Sequence, residues 1–136
     1  MSAALTGGCG CGAVRFEVTE PLVSALYCHC TRCQRRTGTA ASANARVVPG
    51  SVRITAGEAE LRVWAPVGGN EKLFCGLCGS ALFARPPGRE IGGVRLGAID
   101  GDPGIRPQWH QYVAYAAPWE ELPDDGLPQY PEAHPS

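Results

Sequence analysis

Lysine is almost missing from this sequence, with one residue against eleven arginines. The skew reads as compositional bias, and with a net charge of −1 no global field recruits nucleic acid or an anionic membrane. Long hydrophobic runs are also lacking. The longest charge-free apolar stretch, residues 22–31, is far shorter than the ~20 residues that span a bilayer. Residues 1–8 carry neither a basic nor an apolar leader segment, so no secretory signal is read there and a cytoplasmic location is expected. No segment has the periodicity of a long helix, and no internal repeat is visible beyond returning cysteine pairs. No cysteine stands alone. The chain has seven, and an odd number excludes complete pairing as disulfides within the chain.

What is present is turn-rich and alternating. Eighteen glycines and twelve prolines punctuate short apolar runs, and 136 residues suit one modest domain. Val14, Phe16 and Val18 alternate with polar residues as a half-buried strand does. Residues 22–30 read as a second strand, 34–38 as a short helical turn, and 47–55 as two strands about Pro49-Gly50. Strands are also expected over 61–64, 72–74, 81–84, 94–99 and 110–115. The fold class is mainly β with little helix, in a single domain over residues 1–136. Its core runs from about 7 to 130, and from residue 118 to 136 an acidic, proline-rich tail lies solvated over it.

The cysteines fall as Cys9-x-Cys11, Cys28-x-Cys30-x-x-Cys33 and Cys75-x-x-Cys78, a spacing that suits metal chelation in a reducing compartment. On a strand, residues i and i+2 share a face. Cys9 and Cys11 could therefore hold one ion, as could Cys28 and Cys30, with His29 pointing the other way. Glycine follows both Cys11 and Cys78, and glycine permits the positive φ of a tight chelating turn. Those two pairs group as a closed four-thiolate site, which leaves Cys28, Cys30 and Cys33 as an open one. Thiolate sites also suit iron; zinc is favoured because an open three-thiolate set fits Lewis-acid chemistry. Three thiolates give Zn²⁺ a formal charge of −1, so the site favours an incoming thiol over water activation. Gln34, Arg35, Arg36 and Thr37 follow the trio, and an arginine fork recognises carboxylates. A carboxylate-bearing thiol such as glutathione matches both features. His110 could move a proton beside the product oxygen, and Trp119 could wall a pocket.

The stretches Gly8-Cys-Gly-Cys-Gly12, Cys28-His-Cys-Thr-Arg-Cys-Gln-Arg-Arg-Thr-Gly38, Phe74-Cys-Gly-Leu-Cys-Gly-Ser80 and Asp125-Gly-Leu-Pro-Gln-Tyr130 resemble the glutathione-dependent formaldehyde-activating family. That family also includes centromere protein V, whose basic extension has no counterpart here. The resemblance implies a zinc-centred β-tent fold with two zinc ions. A structural zinc would lie on Cys9, Cys11, Cys75 and Cys78, and a second, catalytic one on Cys28, Cys30 and Cys33. It also implies a carbon–sulfur lyase that forms S-(hydroxymethyl)glutathione from glutathione and formaldehyde. Substrate contacts are expected from Gln34, Arg35, Thr37, His110 and Trp119. The competing reading is a non-catalytic glutathione carrier or zinc-binding interaction module. A nucleic-acid-binding zinc domain would need a basic face; only the stretch from Arg32 to Arg62 leans basic, and the chain is net acidic.

Overall fold

A computed structural model describes residues 4–135. Among the described residues ten short strands form two sheets, accompanied by one α-helix. The smaller joins β1 (Leu5–Gly8), β2 (Arg15–Val18) and β5 (Val52–Ala56) in the order β1-β2-β5. The larger has seven strands in the order β10-β3-β4-β9-β8-β7-β6. They are β3 (Ser24–Cys28), β4 (Ser42–Arg46), β6 (Leu61–Trp64), β7 (Glu71–Cys75), β8 (Ala81–Arg85), β9 (Gly93–Arg95) and β10 (His110–Gln111). Every pairing is antiparallel except β10 against β3. The mainly β reading is correct.

The alternation in β2 buries Phe16 and Val18 while Arg15 and Glu17 face outward. Phe16 meets Phe83 of β8 edge-on, ring centroids 4.8 Å apart. Around this pair Val14, Leu73, Leu82, Val94, Ala25 and Ala45 close one core drawn from both sheets. A second, smaller cluster of Leu26, Cys28, Cys33 and Trp109 lies on the other face of β3. This strand is therefore buried on both sides, and it carries Cys28 at its end.

Several expectations need correction. The helix α1 spans Thr31–Thr37 and starts earlier than residue 34, because Cys30 is its N-cap. The Cys30 sulfur accepts the Cys33 N–H at 3.3 Å, the bond a serine or aspartate cap would make, and Gly38 ends the helix at φ +69°. That cap also shortens the strand expected over 22–30 to Ser24–Cys28. β1 and β4 were not anticipated. Ser42-Ala-Asn-Ala-Arg46 has little strand propensity, and it is held extended by β3 on one side and β9 on the other. The Pro49-Gly50 turn joins β4 to β5 in different sheets and makes no hairpin. The strands expected over 94–99 and 110–115 each end in a 3₁₀ turn, Leu96–Ala98 and Val113–Tyr115.

The acidic tail is anchored. The His110 N–H donates to Pro128 O, and the N–H groups of Val113 and Tyr112 donate to Tyr130 O and Glu132 O. Tyr130 returns a bond to His110 O at 2.8 Å. Tyr112 is the one non-glycine at positive φ among the described residues, a strain that surrounding structure must hold.

Candidate metal centres and cavity

Cys9 and Cys11 lie in the turn between β1 and β2, so their approach comes from a loop and not from the strand spacing expected. Cys75 ends β7, and Cys78 lies in the turn before β8. The two turns are built alike. Gly12 N–H donates to Cys9 O at 3.1 Å and Gly79 N–H to Cys75 O at 2.8 Å, with φ of +81° and +80°. A backbone N–H also reaches one sulfur in each, Val14 to Cys9 at 3.2 Å and Leu77 to Cys75 at 3.4 Å. The Gly10 N–H then ties the turns together by donating to Ser80 Oγ at 2.9 Å. All four sulfurs lie within 4.8 Å of one another. Cys9 to Cys11 is 3.6 Å and Cys11 to Cys75 is 3.9 Å. Tetrahedral zinc with Zn–S near 2.3 Å requires sulfurs about 3.8 Å apart, so this donor set fits a tetrahedral ion. The Ser80 hydroxyl, bonded to the Cys78 sulfur at 3.2 Å, leads in lowering that thiol to about 5.

Cys28, Cys30 and Cys33 form the second group, again with sulfurs within 4.8 Å. Strand end, helix cap and first helical turn supply one ligand each. Hydrogen bonding from Cys28, then from Cys30, holds the Cys33 thiol down to about 2, with help from the Ser42 hydroxyl and the charge of Arg95. All seven cysteines are free of disulfides, and three sulfurs leave a tetrahedral ion one position for another ligand.

The trio opens into a cavity of about 990 Å³. Among the described residues Arg32, Arg46, Lys72 and Arg95 are its charged lining side chains apart from the cysteines, and no carboxylate lines it. Burial, then the charge of Arg95, pushes the Lys72 ammonium below its ordinary range. Arg95 donates to the Asn44 side-chain oxygen. Arg32 crosses Gly69, where an added Cβ would lie 2.2 Å from its guanidinium. Gln111, Tyr112 and Tyr115 complete one wall.

None of the residues expected to touch substrate lines this cavity. The Gln34 amide is committed to two carbonyls, His29 O at 2.9 Å and Tyr115 O at 2.8 Å. Thr37 donates to Cys33 O at 2.8 Å and lines a separate cavity of about 540 Å³. Arg35 is exposed outside the lining, and so is Trp119, at 70 %. His110 is 2 % exposed and behind the trio, bonded to His29. Arg36 lies 5.1 Å over the Phe74 ring, and among the described residues Arg32, Arg35 and Arg36 make no ion pair with the tail. Lys72 and Arg95 escaped the sequence reading because β7 and β9 bring them to the trio from far along the chain. Within the sequence Arg95 looks like any surface cation, and Lys72 stands out only as the single lysine.

A Halomonas elongata protein described as "Putative glutathione-dependent formaldehyde-activating enzyme" is 33 % identical over 91 residues, covering 61 % of this chain. The match covers 57 % of that relative's own length. The crystal structure of a Rhodobacter sphaeroides protein superposes with a TM-score of 0.57 at 26 % identity, covering 92 % of this chain and 98 % of the other. The profile described as glutathione-dependent formaldehyde-activating enzyme matches residues 4–115. That span takes in both cysteine centres and Arg32, Lys72 and Arg95, so the chain belongs to this family.

Proposed function

We propose that this protein is a zinc-dependent, carbon–sulfur lyase-like enzyme that binds glutathione at Cys28, Cys30 and Cys33 and promotes its addition to formaldehyde or a similarly small aldehyde. The observation that carries the reading is the pairing of three clustered thiolates with a cavity whose other charges are all positive. Cys28, Cys30 and Cys33 would hold the zinc, which would supply a soft Lewis-acid position that favours an incoming thiol in its thiolate form. Arg32, Arg46 and Arg95 attract and orient the two carboxylates of the tripeptide, arginine being suited to bidentate recognition. The glutathione sulfur then forms a bond to the aldehyde carbon, and the carbonyl π pair moves onto oxygen. That oxygen takes a proton from Lys72 Nζ, and the proton lost by the thiol restores the ammonium. Arginine cannot fill this role, since it stays protonated in proteins. Cys9, Cys11, Cys75 and Cys78 would hold a structural zinc. A reducing, cytoplasmic compartment keeps both sets of thiolates available.

Cobalt(II) in place of zinc gives thiolate absorption bands that report each centre. Glutathione should shift the bands of one centre only, and S-methylglutathione, with the same carboxylates and no free thiol, should leave them unchanged. Bands that ignore glutathione would overturn the reading. Adduct formation from ¹³C-formaldehyde, followed by NMR against a no-protein baseline, separates an enzyme from a glutathione carrier.

A further inference from the structure

His29 stands between two cysteines of the open trio, yet its ring faces away from the cavity and is 5 % exposed. Its Nε2 lies 2.8 Å from His110 Nδ1, and His110 Nε2 lies 2.8 Å from Asp125 Oδ2. A carboxylate only accepts, so with both rings neutral each carries its proton on Nε2 and donates along the chain toward Asp125. The parallel pairing of β10 with β3 creates this line by setting His110 opposite Tyr27 and Gln111 opposite Cys28. Asp125 is itself fixed, since its Oδ1 accepts the Leu127 N–H at 3.0 Å.

His29 is thus held at three points. Its side chain bonds His110, its N–H donates to Gln111 O at 3.0 Å, and its carbonyl accepts the Gln34 amide at 2.9 Å. The position matters because the two centres differ in how they close. Four sulfurs define a tetrahedron by themselves, whereas three with an exchangeable fourth ligand leave the metal's geometry to the surrounding protein. Moving His29 moves the backbone that presents Cys28 and Cys30.

We infer that Asp125, His110 and His29 are positioning residues of the three-cysteine centre, so that the carboxyl-terminal segment is a working part of that metal site. The inference rests on the metal-binding reading proposed above and adds to it residues that touch neither metal nor substrate.

The test uses the full chain loaded with zinc and a chromophoric chelator that resolves the two centres by affinity. Asp125→Ala should weaken the three-cysteine centre about tenfold, the lower end of what partners behind metal ligands contribute. The four-cysteine centre should be unchanged. Asp125→Asn keeps an acceptor for His110 and should restore the affinity to within about twofold. Asp125→Ser, which also breaks the link, serves if the alanine variant does not fold. Equal weakening of both centres, or no weakening, overturns the inference. Asparagine no better than alanine also overturns it. A wild-type chain that binds one zinc overturns the function proposal as well, whereas two zincs with unresponsive variants overturn the positioning role alone.

Discussion

Lys72 and Arg95 bear the same formal charge and line the same cavity, but their chemistry differs. The guanidinium of Arg95 is anchored on Asn44, and its part in the proposed function is to hold an anion. The Lys72 ammonium, weakened mainly by burial, can also release one. Arg95→Met should raise the KM for glutathione about tenfold, the loss expected of a charge-assisted contact, while cysteamine, which has no carboxylate, is processed as before. Lys72→Arg should leave glutathione binding nearly intact and lower kcat about a hundredfold, the usual scale for a lost proton donor. A Lys72→Arg variant with unchanged kcat would remove the proton role. Neither residue could be identified from the sequence, because a cation's meaning depends on what it faces. The cysteines were legible because chelate rings are short, and two or three residues of spacing already state the geometry.

The two cysteine turns after β1 and β7 are elements in their own right, and each turns on an open glycine at positive φ. At Gly79 no atom lies within 4 Å of a Cβ that would be added, so alanine there meets only the left-handed backbone penalty of about 1–2 kcal/mol. Gly12, at nearly the same φ and equally open, should give the same loss. Gly57 combines φ +74° with an added Cβ 2.1 Å from Ala13 O, and alanine there must also displace the backbone next to β2. Urea unfolding of the zinc-loaded protein should rank Gly57→Ala well below the other two variants. Comparable midpoints for all three would contradict this account. The helix was misplaced for a related reason: a cysteine is not an expected N-cap, and the cap became legible only when its sulfur was seen to accept the Cys33 N–H. β4 was missed because its partners, not its residues, make it a strand.

In the whole molecule the four-cysteine centre joins the turn of the small sheet to the β7–β8 turn of the large one, beside the core around Phe16 and Phe83. A zinc at such a junction contributes directly to folding. Graded chelation should therefore separate two events. Loss of zinc from the open centre should abolish glutathione binding with little change in Tm, and loss from the closed centre should lower Tm sharply. Simultaneous loss of both properties at every chelator concentration would refute the division of labour. The ligands and turn contacts of the closed centre end at Ser80, whereas the open one is braced by β10 and by the segment that reaches Asp125. A chain emerging from a ribosome can therefore assemble its closed centre while the other remains unbraced. On the proposed function, synthesis order itself would then set a sequence of metal loading, scaffold before chemistry.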